Sequence, residues 1–69
     1  LLSKREAVRS ALSKLPETYR TVLTLREYMN LSYDEISSVM NTSQGTVKSR
    51  ISRARQMLLK IISENAELI

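Results

Sequence analysis

The sequence has no cysteine, histidine, tryptophan or phenylalanine, and it has one glycine and one proline. Without cysteine and histidine, disulfides, thiol chemistry and metal chelation are excluded or nearly so. A single glycine and a single proline leave little material for hairpins, which favours an all-helical chain over a β fold. Three tyrosines are the only aromatic residues, so we expect an aliphatic core.

Other absences narrow the function. Asp34 is the only aspartate and no nucleophile–base pair is apparent, so we expect neither catalysis nor a cofactor or metal. No apolar run approaches the roughly 18–20 residues of a membrane span, and no signal-peptide pattern is present, so the cytoplasm is the expected location. Because the chain begins Leu-Leu-Ser, we expect residues 1–69 to be one domain of a longer protein.

The basic residues are unevenly distributed along the sequence. Eleven basic and seven acidic residues give a formal net charge of +4, within a globular composition of 42% hydrophobic and 26% charged residues. This bias favours an acidic partner such as nucleic acid. Four basic residues and no acidic one fall in the stretch SQGTVKSRISRAR, from Ser43 to Arg55.

Four helices are predicted, at about residues 3–14, 17–29, 33–40 and 44–64. Ser3 with Glu6, and Ser32 with Glu35, have the spacing of a capping box, which indicates the starts of the first and third helices. Pro16 separates the first helix from the second, because the residue before a proline avoids helical backbone angles.

Two further signals define the end of the chain's second helix and the start of its fourth. Asn30 suits the left-handed conformation that closes a helix. A short polar turn after the third helix leads to Ser43, which we expect to be the N-cap of the fourth. Two helices joined by such a turn form a helix-turn-helix unit.

The fourth helix divides into two faces at about 100° per residue. Its core stripe comprises Val47, Ile51, Ala54 and Leu58. Its opposite half comprises Lys48, Ser49, Ser52, Arg53 and Gln56, with Gly45 and Thr46 at the start. Cations mixed with short hydroxyl side chains suit base reading in a major groove, and a glycine leaves the helix N-terminus open to a phosphate. The alternative is a solvated basic face on a structural helix, which charge by itself favours.

Three segments carry a resemblance to a known family. They are LPETYR opening the second helix, LSYDEI opening the third and GTVKSRISRAR in the fourth. In order and spacing, from about Ala11 to Leu58, the chain resembles region 4 of bacterial sigma-70 family sigma factors, in particular the extracytoplasmic-function group. The resemblance implies an all-α four-helix domain with a C-terminal helix-turn-helix, of the winged-helix-like DNA-binding superfamily but without a wing.

The resemblance also implies a function. Such a domain recognises the −35 element of double-stranded promoter DNA through a recognition helix in the major groove, and docks on the β flap of RNA polymerase to direct transcription initiation. An anti-sigma factor is a further implied partner, and we expect the domain to be monomeric. The base-facing positions of the family correspond to Lys48, Ser49, Ser52 and Arg53. The backbone-contacting positions correspond to Thr42, Ser43, Gln44, Gly45, Thr46, Tyr33 and Arg20.

The sequence departs from the family pattern at three positions. Asn30 stands where the family usually has glycine, and it still tolerates a left-handed cap. Ser37 replaces a usual alanine at the helix–helix crossing, where it is small enough for close packing. Ser52 stands at a position that varies within the family, so the base sequence that is read is left open.

Several side chains have two readings. Arg50 either pairs with Glu35 across the two helices or touches DNA. Arg55 is expected to be a solvated or phosphate-steering charge rather than a base reader, and Arg20 either contacts phosphate or faces solvent or a carboxylate. Leu59 is either a plain exposed leucine or part of a partner-binding patch. The tyrosines are expected to pack, with their hydroxyls in water.

Two alternative functions belong to other classes. A LuxR-type effector domain of a response regulator also has a helix-turn-helix with TVK in its recognition helix, but it typically lacks the LPE.YR opening and the SRARQ continuation. A domain acting mainly as an anti-sigma-factor binding module is the second alternative, and this role is compatible with DNA binding.

Overall fold

The structure, a computed structural model, describes residues 3–66, with side chains described up to residue 64. The ends at residues 1 and 69 of the predicted domain lie outside the described residues. The helices are α1 (Lys4–Ser13), α2 (Glu17–Leu23), a π-helical segment (Thr24–Tyr28) that continues α2, α3 (Tyr33–Val39) and α4 (Gln44–Ala66). The described residues contain no strand, so the predicted all-α fold with a C-terminal helix-turn-helix is confirmed. None of the described helices has the length and apolar character needed to cross a membrane.

The core is aliphatic, as the lack of large aromatic residues indicates. Helix α4 packs against α1, α2 and α3, so it forms the centre of the bundle. The buried hydrophobic residues are Ala11, Leu12, Leu15, Val22, Leu23, Leu25, Ile36, Val47, Ile51 and Ala54. No polar or charged side chain is buried within residues 3–64. Burial of apolar surface therefore holds α4 in place without any buried ion pair.

The second helix ends in a wider turn than the sequence predicts. Its last five residues, Thr24–Tyr28, form a π-helical segment. Asn30 then adopts a left-handed conformation, with φ 55°, as predicted. The amide of Leu31 donates to the carbonyl of Leu25, six positions earlier, at 3.1 Å. This bond is one residue wider than the bond of a Schellman motif, as the π-helical turn before it requires. Arg26 donates from Nη1 to the Leu31 carbonyl at 2.8 Å, which ties the helix to the loop that leads into α3.

Both ends of α3 are closed by side chains or by a left-handed residue. The predicted capping box is confirmed: the Glu35 amide donates to Ser32 Oγ at 3.0 Å and the Ser32 amide donates to Glu35 Oε1 at 2.8 Å. At the other end Asn41 has φ 52°, and the Thr42 amide donates to the Ser37 carbonyl at 3.0 Å. The sequence predicts a left-handed cap at Asn30 alone, so the cap at Asn41 is an additional finding. It turns the chain sharply from α3 into α4.

The capping box also changes the acidity of its carboxylate. Hydrogen bonds from the backbone and side chain of Ser32 hold the pKa of Glu35 below its ordinary value. A carboxyl with a lowered folded-state pKa contributes stability above its unfolded pKa, and this contribution is lost as the pH falls through the folded value. The α3 cap is therefore weakened by acid.

Replacing Ser32 by alanine removes the N-cap of α3 and is expected to lower the free energy of unfolding by about 1 kcal/mol. Denaturant unfolding followed by circular dichroism measures the change. Ser38→Ala is the matched control, because Ser38 is exposed on the same helix and its hydroxyl has no partner within residues 3–64. Equal stability of the two variants would show that the cap is energetically silent.

Candidate nucleic-acid interface

The first turn of α4 is fixed by its cap and by a link to α3. The Thr46 amide donates to Ser43 Oγ at 3.1 Å, so Ser43 is the N-cap that the sequence predicts. The Ser43 and Thr46 hydroxyls are also hydrogen-bonded to each other, at 2.9 Å. Gln44 Nε2 donates to Asp34 Oδ1 at 3.1 Å, which joins α4 to α3. These contacts set the direction in which α4 leaves the turn.

Burial separates the two faces of α4 as its periodicity predicts. Val47, Ile51 and Ala54 lie in the core, while Leu58 is half-buried at its edge. The four residues predicted to face bases are all exposed: Lys48, Ser49, Ser52 and Arg53. The core stripe, called the inner stripe from here on, anchors α4 in the bundle. The opposite half of the helix, called its outer face, is therefore held at the surface. The structure thus brings these four side chains to one exposed helix face.

Neither a close contact nor a left-handed backbone requires a glycine at position 45, in the first turn of α4. It is exposed, it lacks a positive φ, and a Cβ built on it would meet only Ser43 Oγ, at an ordinary 3.9 Å. Glycine inside a helix is unfavourable by roughly 1 kcal/mol relative to alanine. A residue that weakens the helix without relieving a clash leaves room for another molecule to approach the backbone.

A polar pocket of about 200 Å³ lies where α2 meets α4. It is lined by Tyr19, Thr46, Ser49, Arg50 and Arg53. Arg53 donates from Nη1 to the Tyr19 hydroxyl at 3.4 Å, a long hydrogen bond between residues 34 positions apart. DNA contact is one of the two readings that the sequence leaves for Arg50, whereas Tyr19 is expected only to pack, so its place at this surface is new. The helical wheel of α4 by itself contains no information about which side chain of α2 faces it.

The contacts of Glu35 decide between the two interpretations of Arg50. Glu35 is engaged in the capping box with Ser32, and no ion pair joins it to Arg50. Within residues 3–64, the Arg50 guanidinium has no hydrogen-bond or ion-pair partner. The sequence-based pairing of Arg50 with Glu35 is therefore wrong, and Arg50 instead lines the polar pocket.

Arg55 is held by a carboxylate. Its Nε donates to Glu27 Oε1 at 3.1 Å, and its Nη2 forms an ion pair with the same oxygen. Both side chains remain about half exposed, so the pair itself contributes little stability. Arg55, expected to be a solvated or phosphate-steering charge rather than a base reader, is thus half-solvated and also paired, and the pair directs its guanidinium toward the end of the second helix.

Arg20 and Tyr33 are not on the outer face of α4, and each has its own contacts elsewhere in the bundle. Arg20 is half-buried and donates from Nη1 to the carbonyl of Leu15 at 3.3 Å, so its partner among the described residues is a backbone carbonyl rather than a carboxylate. Tyr33 is half-buried at the start of α3, with the Arg26 guanidinium 4.9 Å from its ring centroid. Neither residue lines the polar pocket. Thr42, in the turn, is also half-buried.

A second, apolar pocket lies on another side of the bundle, between α1, the second helix and α4. Its volume is about 150 Å³. It is lined by Val8, Leu12, Leu23, Glu27, Tyr28, Arg55 and Leu58. The ion pair of Arg55 with Glu27 thus borders an apolar depression. Tyr28 at its rim is 61% exposed. Leu59, which is 66% exposed, is not part of this lining.

The arrangement defines a class of protein. A short capped helix, a tight turn and a second helix with an anchored inner stripe and an exposed cationic face make up a helix-turn-helix domain of the DNA-binding kind. Acidic side chains are absent from Ser43–Arg55. Among the described residues, no cluster of acidic side chains is suited to hold a metal.

The chain belongs to the sigma-70 region 4 family, whose model, "Sigma-70, region 4", matches residues 5–58. It is 49% identical over 55 residues to the RNA polymerase sigma-H factor of Pseudomonas aeruginosa, covering 80% of this chain and 28% of that protein. It is 46% identical over 54 residues to the ECF RNA polymerase sigma-E factor of Escherichia coli strain K12, with 78% and 28% covered. The same factor of Haemophilus influenzae is 52% identical over 44 residues, with 64% and 23% covered.

These relatives are several times longer than the matched region. The chain spans about a quarter of the length of the curated relatives that it matches. The resemblance to region 4 of extracytoplasmic-function sigma factors is confirmed by the family match and by the similarity to these proteins. The match ends at Leu58, so the last turns of α4 extend beyond it.

Proposed function

We propose that the chain is the promoter-recognition domain of an extracytoplasmic-function sigma factor, and that it binds the −35 element with α4 in the major groove. The observation that carries this proposal is the joint exposure of Lys48, Ser49, Ser52 and Arg53 on the one face of α4 that does not enter the core. Membership of the region 4 family supports it independently. The LuxR-type alternative is not favoured, because the family match covers residues 5–58.

The four exposed side chains would make two kinds of contact with the bases. Arg53 and Lys48 can donate to guanine O6 and N7, which is the commonest specific contact in protein–DNA complexes. Ser49 and Ser52 are short, so they let the helix backbone approach the base edges while offering a hydroxyl to either a donor or an acceptor. Ser49 already donates to the Thr46 carbonyl at 3.2 Å, so its remaining capacity is that of an acceptor.

Backbone contacts would come from the start of α4 and its neighbours. The proposed set is Thr42, Ser43, Gln44, Gly45, Thr46, Tyr33 and Arg20. The Thr46 amide and the Ser43 hydroxyl are engaged in the cap, which leaves the amides of Gln44 and Gly45 as the helix N-terminal donors for a phosphate. The missing side chain of Gly45 supports such an approach. Arg20 and Tyr33 are half-buried, so each would reach phosphate with its polar end only.

The whole protein would direct transcription initiation as part of RNA polymerase, without enzymatic activity of its own and without a cofactor. We propose that the domain acts in the cytoplasm as a monomer and docks on the polymerase β flap. An anti-sigma factor is a second partner that would compete for one of these surfaces. The apolar pocket supports the protein-docking part of the proposal, because an apolar depression rimmed by a charged pair suits a protein segment better than a nucleic acid.

Tyr28→Asp at the rim of the apolar pocket is expected to weaken binding to RNA polymerase core by about 1–3 kcal/mol, because it places a charge in an apolar contact. Binding to duplex DNA is expected to change little. The measurement is titration of polymerase core with labelled protein, in the absence of DNA. Val39→Asp is the control, since Val39 is 63% exposed and lies outside the pocket. Equal losses in the two variants would remove the pocket from the docking surface.

Selection of duplexes from a random pool tests the proposed DNA recognition. The protein is used as the full-length factor assembled with polymerase core. We expect the wild type to enrich a short motif at the position of the −35 element. Enrichment should disappear for the factor without this domain. Recovery of unenriched sequences by the wild-type holoenzyme would contradict −35 recognition.

A further inference from the structure

The polar pocket where α2 meets α4 contains hydrogen-bond donors that have no acceptor within the domain. Arg50 has no hydrogen-bond or ion-pair partner within residues 3–64, so the N–H groups of its guanidinium are all available. Tyr19 accepts a hydrogen bond from Arg53, which leaves the proton of its own hydroxyl to be donated elsewhere. Both side chains are half-buried, so their positions are restricted.

The other polar groups of the pocket do not compete for these donors. Ser49 Oγ donates to the Thr46 carbonyl, and Thr46 Oγ1 is hydrogen-bonded to Ser43. No carboxylate lines the pocket. Two guanidinium groups and a phenol around a space without an acid form an environment for an anion with several acceptor oxygens.

The size and position of the pocket restrict the anion further. A water molecule takes up about 30 Å³, so a pocket of about 200 Å³ has room for a tetrahedral oxyanion. The pocket is lined by Ser49 and Arg53, two of the four proposed base-facing residues. A DNA strand whose bases meet those residues carries its phosphates along the flank of the helix, where Arg50 lies.

We propose that this pocket holds one phosphate of the DNA backbone, with the Arg50 guanidinium and the Tyr19 hydroxyl as its donors. Tyr19 also restrains Arg53 through the hydrogen bond between them, so that one tyrosine joins the phosphate contact to a base-reading side chain. This inference rests on the proposed DNA-binding function and adds to it two residues, one of them from α2. A phosphate held here fixes the register of α4 in the groove but carries no sequence information.

Salt dependence of DNA binding tests the phosphate contact. Arg50→Met keeps the aliphatic stem and removes the charge, and Tyr19→Phe keeps the packed ring and removes the hydroxyl. We expect Arg50→Met to bind about tenfold more weakly, and Tyr19→Phe about fivefold more weakly, on both the selected duplex and a scrambled duplex. The slope of log K against log salt should fall by about 0.9 for Arg50→Met. Lys60→Met is the charge-matched control, because Lys60 is exposed about 15 Å further along α4.

Methylphosphonate substitution locates the phosphate. Replacing one backbone phosphate at a time by a neutral methylphosphonate is expected to reveal one position at which wild-type binding weakens about tenfold while Arg50→Met binding does not change. Tyr19→Phe should be partly insensitive at the same position. If Arg50→Met and Tyr19→Phe match Lys60→Met, or if every methylphosphonate weakens wild type and variants alike, the pocket holds no phosphate.

Failure of the proposed −35 recognition and failure of the phosphate assignment give different results in these experiments. If the wild-type protein binds the selected and the scrambled duplex equally, the proposed −35 recognition fails, while the methylphosphonate scan still reports on the pocket. Inorganic phosphate, added at constant ionic strength, is expected to displace DNA no better than chloride does. Displacement by inorganic phosphate that requires Arg50 would overturn the assignment to a DNA phosphate and would assign the pocket to a free anion.

Discussion

Replacement of Val47 by aspartate is expected to unfold the chain. Val47 is 0% exposed and lies in the cluster that joins α4 to the rest of the core. No cationic or other polar side chain is buried near it within residues 3–64, so an aspartate there would be an unpaired buried charge or a buried neutral acid. A domain of 69 residues has a total stability of only about 3–10 kcal/mol. Burying an unpaired charge is unfavourable by several kcal/mol, which removes most or all of that stability.

Circular dichroism and thermal unfolding measure this effect. Val39→Asp is a control with the identical substitution, because Val39 is 63% exposed on α3 and its replacement leaves the core intact. We expect the Val39 variant to keep its helical spectrum and the Val47 variant to lose it. A cooperative transition for Val47→Asp within a few degrees of wild type would show that the inner stripe of α4 is not the anchor of the domain.

The combined replacement of Lys48 and Arg53 by alanine is expected to abolish sequence preference while leaving weak binding to any duplex. Each of the two side chains, if it donates to a base, is worth about 1–3 kcal/mol of discrimination. The two changes together should therefore narrow the gap between selected and scrambled duplexes by about 2–6 kcal/mol, if the contacts are independent. Non-specific binding remains because the start of α4 and the other basic residues still meet the phosphates.

The control for this double variant must match its charge. Removing two cations changes the formal net charge from +4 to +2, which by itself weakens binding to every duplex. Arg5→Ala with Lys14→Ala makes the same change of charge at two exposed residues, one in α1 and one directly after it, away from the outer face of α4. We expect this control to lower the affinity for both duplexes equally. A loss of preference in the control as large as in the Lys48/Arg53 variant would assign the effect to charge rather than to base contacts.

Much of the fold follows from local sequence signals. The cap residues Ser3, Ser32 and Ser43 all accept a hydrogen bond from the amide three residues on, which their spacing predicts. Asn30 has the left-handed backbone that a helix end requires. These signals act between residues three to six positions apart, so they can be read without knowing the tertiary structure. The inner stripe of α4 is equally local, because it depends only on helical periodicity.

Contacts between helices could not be predicted in the same way. The hydrogen bond of Arg53 to Tyr19 and the ion pair of Arg55 with Glu27 join residues 34 and 28 positions apart. Their formation depends on how α2 is rotated against α4, and this rotation is set by the packing of the whole core. The π-helical segment was missed for a related reason, since one wide turn barely changes the hydrophobic period.

The measurement that tests base reading by α4 most directly is the affinity of wild type and Arg53→Ala for every single base-pair variant of the selected duplex. The central claim is that Arg53 contacts a particular base from the outer face of α4. We expect the wild type to discriminate at each position of the motif, and Arg53→Ala to lose about 1–3 kcal/mol of discrimination at one base pair while keeping it at the others. Equal weakening by Arg53→Ala on all variants, with every preference retained, would show that Arg53 contacts the backbone only and would contradict the claim.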